Sequence, residues 1–339
     1  MKIINPLAFL LIILSPALAA DSAPSSAGDV RSKLADWPQG VQEISIEGAK
    51  DGQPQPAMYF SPSGTTPVPL LVLLHPWSSN HLYATGITFA KTCVVKNWAF
   101  IQPEFRGPNN QPKALGSDFV IEDIANAVAY AQANGNIDPK RIYLVGASGG
   151  GHAALLAAGR LPGVFTAISA WVPISDVVAW YHQVKDTPYK NYARDIVKAC
   201  GGPPLPGTTA EKEAILRSPI THLEKTQGSE IDINTGIHDG HEGGSVPVSQ
   251  SLLAYNALAQ DPDRIPLATV AYMENEEAIP DELKFDGEDS TYGKRKVLFR
   301  KASKNIRITV TDGKHEIVSS AALAWLESID QRKRQAPEQ

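Results

Sequence analysis

Arg141-Ile-Tyr-Leu-Val-Gly-Ala-Ser-Gly-Gly-Gly-His152 is the stretch whose reading decides the fold. Ile142 to Val145 is a short apolar run of strand character, and Gly146-Ala-Ser-Gly-Gly150 has the G-x-S-x-G spacing of a sharp strand-to-helix turn. Ala154, Leu155 and Ala158 then form a small apolar face suited to a helix packed closely on a sheet. Glycine is expected two places either side of Ser148, because a Cβ at Gly146 or Gly150 would collide with the neighbouring backbone. Such a turn lifts the Ser148 hydroxyl clear of the sheet and makes Ser148 the candidate nucleophile.

Outward from this turn the chain alternates strands with helices. Val41 to Glu47 and Pro56 to Phe60 read as two strands of a hairpin across the turn Lys50-Asp-Gly-Gln53. Val68-Pro-Leu-Leu-Val-Leu-Leu74 is continuously apolar, as a strand covered on both faces must be. A helix is expected over Tyr83 to Asn97, a strand over Ala99 to Pro103, and a helix over Asp118 to Ala133 with Ile121, Ile124, Val128 and Ala131 on one face. Val164 to Val172 is the sixth strand, and the aromatic and Pro/Gly-rich segment 173–227 after it is expected to form a cap. Ile231 to Ile237, a helix over Ser249 to Leu258, a solvated acidic insertion over Asp261 to Tyr292, a last strand over Ile306 to Val310 and a closing helix over Ser319 to Ile329 complete the pattern. The expected fold class is α/β, a mostly parallel sheet covered by helices on both faces.

A serine nucleophile needs a base on a loop that the fold returns to it. His315, in Thr311-Asp-Gly-Lys-His-Glu316 between the last strand and the last helix, has that place; His152, His238 and His241 do not. The acid belongs between nucleophile and base in chain order. The loop Gly236-Ile-His-Asp-Gly-His-Glu-Gly-Gly-Ser-Val-Pro247 offers Asp239, which is favoured because it directly follows a strand, and Glu242; Asp176 is a third choice. His75-Pro-Trp-Ser78 ends the apolar strand where a loop amide can meet an oxyanion. Pro76 has no N–H, so Trp77 is the candidate donor, with the Gly149 amide as the second. Trp180, Tyr181 and Tyr192 in the cap are candidate substrate-binding residues. His238, Asp239, His241 and Glu242 are of types that bind zinc, but a glycine loop lacks helical i, i+4 presentation and an activated serine needs no metal, so no metal or other cofactor is expected.

Composition narrows the class. The chain has 339 residues, 43% hydrophobic and 20% charged, with a net charge of -5, as in ordinary globular proteins and without the basic stripe of a nucleic-acid binder. Met1 to Ala20 has the charged start, apolar core and small-residue exit of a cleaved export signal, too short in its core to be a stable membrane anchor. A periplasmic or secreted protein with a flexible mature N-terminus over residues 21–40 is therefore expected, followed by a hydrolase domain over 41–330 and a polar tail over 331–339. Cys93 and Cys200 either form one disulfide or are buried thiols. No sequence feature sets an oligomeric state.

The chain resembles the prolyl oligopeptidase-type branch of the α/β hydrolases. The resemblance rests on Gly146-Ala-Ser-Gly-Gly150, on Phe105-Arg-Gly107 after a core strand, on Val246-Pro247 at the entry to a helix, and on Gly313-Lys-His-Glu316, and it covers Val41 to Ile329. It implies an eight-stranded sheet and a Ser148, Asp239, His315 triad. The acid loop is longer and more glycine-rich than that family's usual G-x-x-D-x-x-V-P, and no propeller domain is expected ahead of the hydrolase domain. Small esterases resemble this branch equally well. The expected activity is hydrolysis of carboxylic esters, carbohydrate or aryl, through an acyl-enzyme on Ser148. The alternatives are a peptidase acting on short peptides and a non-catalytic binding protein on the same scaffold.

Overall fold

Residues 36–48 and 50–335 are described by a computed structural model; the expected export signal, residues 21–35 and the end of the polar tail lie outside them. Nine strands form one sheet: β1 Gln42–Ile46, β2 Gln55–Phe60, β3 Val68–Leu74, β4 Ala99–Pro103, β5 Ile137–Ala147, β6 Ala167–Trp171, β7 Glu230–Gly236, β8 Val297–Ser303 and β9 Ile306–Thr311. Their spatial order is β1-β2-β4-β3-β5-β6-β7-β9-β8. From β4 through β9 neighbours run parallel, while β1, β2 and β8 pair antiparallel at the two edges. The helices are α1 Thr85–Lys96, α2 Asp118–Asn134, α3 Gly149–Arg160, α4 Val177–Val184, α5 Lys190–Cys200, α6 Thr209–Leu216, α7 Val248–Leu258, α8 Leu267–Glu276 and α9 Ser319–Gln335.

All seven residues of β3 are buried, and their alternation explains why. Leu70, Val72 and Leu74 join Val120 and Ile124 of α2 and Leu155 of α3 in the main core, while Leu71 and Leu73 point to the other face and are equally buried. The sheet is thus covered on both sides, with the parallel strands carrying their loops to one end. The cap is α4, α5 and α6, inserted after β6. Its own core gathers Trp180, Val184, Ile196 and Cys200 around Trp77 and Leu115 of the hydrolase body.

Two expectations are corrected, and one open alternative is decided. The sheet has nine strands rather than eight, because Val-Leu-Phe-Arg-Lys-Ala-Ser at 297–303 is an edge strand whose half-buried Arg300 and Lys301, on opposite faces, hid it from an apolar-run reading. The acidic insertion is not merely solvated: Val270 and Met273, one turn apart on α8, enter the main core with Ile265 and Ile279 and leave the carboxylates outside. Cys93 and Cys200 are free buried thiols, not a disulfide. Burial pushes both thiols up, Cys200 to about 11, so neither is a thiolate at neutral pH. Among the described residues no helix is long and apolar enough to cross a membrane.

Candidate active site

The backbone between β5 and α3 turns at Ser148, which adopts φ 58° and ψ -120°, a strained conformation for a non-glycine residue. Three contacts hold it there. Ser148 N–H donates to Trp171 O at 2.9 Å. A Cβ on Gly146 would lie 2.1 Å from Gly150 O, and one on Gly150 would lie 2.3 Å from Leu74 O, so both glycines are required by close backbone approach. The hydroxyl consequently stands at the C-terminal end of the sheet, where the loops after β7 and β9 also arrive.

Those two loops bring the rest of the relay. His315, in the loop between β9 and α9, has Nε2 2.8 Å from Ser148 Oγ and Nδ1 2.6 Å from Asp239 Oδ2. Asp239, in the turn after β7, is fully buried, and its other oxygen accepts from the N–H groups of Gly240 at 2.9 Å and Val246 at 3.1 Å. These bonds aim the carboxylate at the imidazole and compensate its burial. The loops also hold one another, through His315 N–H to Gly243 O and His238 N–H to Gly313 O, both 3.2 Å. Glu316 is paired with Arg295 at 2.7 Å, pinning the histidine loop from behind. The structure therefore brings Ser148, His315 and Asp239 into one hydrogen-bonded chain. Glu242 is exposed and outside it, and Asp176 instead caps α4 by accepting from Ala179 N–H at 2.9 Å.

The glycine-rich acid loop has a physical reason. A Cβ on Gly244 would lie 2.2 Å from Asp239 Oδ1 and 2.4 Å from His315 Cβ, so the loop must be bare where it crosses the relay. His238 and His241 turn away to Glu277, with Nδ1 of His238 2.7 Å from its carboxylate. Among the described residues no group of three or more His, Cys, Asp or Glu is arranged to hold a metal ion.

Trp77 and Gly149 meet closely: a Cβ on Gly149 would be 2.5 Å from Trp77 N. The Gly149 N–H opens α3 and has no intrahelical partner. The Trp77 carbonyl accepts from Asn109 N–H at 2.9 Å, while its N–H meets no backbone acceptor among the described residues. Two amides beside Ser148 are thus left to face a reacting oxygen. The cavity in front of Ser148 has a volume of about 320 Å³ and is walled by Trp77, Tyr83, Val172, Tyr192 and Ile317. Of the three cap aromatics expected there, only Tyr192 lines it. Trp180 is 1% exposed and locked in the cap, its indole donating to Ser245 O at 2.7 Å, and Tyr181 packs on the cap core. Tyr83, Val172 and Ile317 escaped the sequence reading; Ile317, two places after His315, was the one position that chain proximity could have flagged.

Comparison with known proteins agrees with this fold. The profile of the prolyl oligopeptidase family matches residues 110–276, which include Ser148 and Asp239 and end before His315. No curated protein sequence matches the chain. Among solved structures, an acylaminoacyl peptidase of Pyrococcus horikoshii superposes over 64% of this chain and 34% of its own, with TM-score 0.51 and 16% identity. A puromycin-hydrolyzing peptidase of Mycobacterium tuberculosis does so over 86% of this chain and 39% of its own, with TM-score 0.54 and 17% identity. A structure from a study of two prolyl endopeptidases covers 86% of this chain and 37% of its own, with TM-score 0.54 and 16% identity. The chain spans a little over a third of the length of these proteins, and at such identities the likeness is one of fold.

Proposed function

We propose, for a chain that belongs to the prolyl oligopeptidase-like branch of the α/β hydrolases and is a serine hydrolase of that family, that it cleaves short peptides through an acyl-enzyme on Ser148. The observation that carries this reading is the unbroken chain from Ser148 Oγ to His315 Nε2 at 2.8 Å and from His315 Nδ1 to Asp239 Oδ2 at 2.6 Å. Asp239 fixes the tautomer in which Nδ1 carries the proton, leaving Nε2 to take the proton of Ser148 as Oγ attacks a carbonyl carbon. The N–H groups of Trp77 and Gly149 stabilise the oxygen that becomes negative, an effect worth about 100-fold or more for each donor in related chemistry. Collapse of the tetrahedral intermediate passes the proton from Nε2 to the leaving amine. A water deprotonated by the same nitrogen then releases the acyl group from Oγ.

The bond cut is where this proposal departs from the ester expected on sequence grounds. Membership of a peptidase family favours the amide, and the proteins named above are peptidases by name. A second reading, a carboxylic ester hydrolase, is favoured by one observation: no Lys or Arg lines the cavity, so a peptide carboxylate finds no clamp there. Arg194 and Lys190 of α5 are not part of its wall.

Matched acyl groups carried as a prolyl peptide, an aryl ester and a sugar ester separate the readings. A peptidase is expected to turn over the peptide with a kcat within about tenfold of the esters, because protonation of the leaving amine lowers its acylation barrier toward that of the shared deacylation step. An amide slower by about 1000-fold or more, roughly 4 kcal/mol of missing leaving-group assistance, returns the assignment to the ester. The first 20 residues are proposed to direct export, with the intact mass of the exported protein expected to match a chain starting at Ala20 or Asp21 and a retained Met1 contradicting it.

A further inference from the structure

Asp195 is a charged side chain of the cap that reaches the Ser148 end of the molecule. Asp195, on α5, accepts the Trp77 indole N–H on Oδ2 at 3.2 Å. The side chain of Asp195 is 18% exposed, and its other oxygen lies 3.7 Å from Lys198 Nζ, a long and largely exposed partner. Burial raises the pKa of Asp195, while the Trp77 indole and Lys198 favour its charged form. One turn earlier on the same helix, Tyr192 lines the cavity and sets its ring edge-on to Trp77 at 6.0 Å. Trp180 completes the trio, 4.8 Å from Trp77, with its own indole held by Ser245 O in the loop that carries Asp239.

These contacts bear on the amide of Trp77. The 76–77 peptide plane is held through its carbonyl, Pro76 O, which accepts from Ser79 N–H at 3.2 Å and lies 2.9 Å from His75 Nδ1. The Trp77 carbonyl is fixed by Asn109 at 2.9 Å. With that plane held, how far the Trp77 N–H reaches toward Ser148 depends on where the Trp77 Cα sits, and the indole extends from that Cα. The ring packing alone permits the indole to slide in its slot, whereas a directed bond from a poorly solvated carboxylate gives it one position.

We propose that Asp195 is a positioning residue for the oxyanion hole, holding the Trp77 amide toward the reacting oxygen through the indole. The inference deepens the acyl-enzyme reading above and rests on it. Asp195 itself touches neither Ser148 nor His315; the cap thereby contributes to the rate as well as to the shape of the cavity.

The test uses the full chain with the best substrate of the matched series. Asp195→Ala is expected to lower kcat about tenfold with KM within about twofold, the pattern of an interaction made mainly in the transition state. It is also expected to weaken by a similar factor a trifluoromethyl ketone bearing the same acyl group, whose hemiketal oxygen occupies the oxyanion position. Asp195→Asn keeps an acceptor oxygen and is expected to recover kcat to within about threefold of wild type. Trp77→Phe keeps the ring and loses the donor; adding Asp195→Ala to it is expected to cost nothing further. Should Asp195→Ala unfold, Trp77→Phe with Asp195→Asn still carries the comparison. An Asp195→Ala enzyme with unchanged kcat and ketone affinity, or losses that add in the double variant, overturns the inference. Fluorophosphonate labelling keeps the two levels apart: a labelled, active wild type with an indifferent Asp195 refutes only the positioning role, while a wild type unlabelled at Ser148 removes both.

Discussion

Replacing Gly244 by alanine is expected to break the proton relay without changing any of its members. The backbone of Gly244 lies outside the left-handed region, so alanine can adopt it, and the whole effect comes from the added methyl. That carbon would sit 2.2 Å from Asp239 Oδ1 and 2.4 Å from His315 Cβ, where ordinary contact begins at 3.4 Å. Either neighbour, or the loop itself, must give way by about 1 Å. Asp239 resists because Oδ1 is tied to two backbone N–H groups and Oδ2 to the imidazole. His315 or the loop then moves, and a displacement of about 1 Å in a catalytic constellation costs on the order of 100-fold, or roughly 2.7 kcal/mol in the transition state. Crowding adds a stability loss of about 1–3 kcal/mol. The assay is kcat and KM for the best substrate, with circular dichroism and a melting curve to establish that the variant is folded. A folded Gly244→Ala enzyme with kcat within about threefold of wild type refutes the reasoning, because the relay would then tolerate the intrusion.

Two further outcomes are expected. Asp239→Asn should lower kcat by about 10⁴-fold while Glu242→Gln changes it less than about twofold, since only the residue bonded to His315 Nδ1 sets its tautomer; the opposite order in steady-state kinetics would move the acid to Glu242. His152 is buried, donates through Nε2 to Arg217 O at 2.8 Å, and has its pKa lowered to about 4 by burial. Because the folded value lies below the ordinary 6.5, its contribution to stability is complete above pH 6.5 and is lost as pH falls from there toward 4, about 3 kcal/mol in all. Melting temperatures of wild type and His152→Gln measured from pH 7.5 to 4.5 should show a shallower acid slope in the variant; equal slopes would contradict this.

The parts of the site legible in the sequence were those fixed by local sterics or chain order. Gly146, Ser148 and Gly150 announce the elbow because the turn admits nothing larger at the flanking positions, and His315 is marked by its place between the last strand and the last helix. Asp239 was separable from Glu242 by its position directly after a strand, whereas the need for Gly244 to be bare depends on the loops after β7 and β9 meeting and has no local signal. The same limit hid β8 and the core face of α8, where neighbouring charged residues masked apolar residues that find their partners in other elements. Trp180 looked like a ligand-binding aromatic because composition reports an aromatic side chain and not what packs on it. Arg106 shows the converse: Phe105-Arg-Gly was noticed as a motif, and its guanidinium serves the scaffold, buried between Asp51 at 2.8 Å and Asp123 at 2.5 Å.

The central claim is that Ser148 is a nucleophile activated by His315. It is tested most directly by treating wild type, Ser148→Ala and His315→Ala with a fluorophosphonate and locating the adduct by peptide mass spectrometry. One adduct per wild-type chain is expected on Ser148, none on Ser148→Ala, and labelling slowed by about 1000-fold or more in His315→Ala. An unlabelled wild type, an adduct on another residue, or equal labelling rates with and without His315 would contradict it.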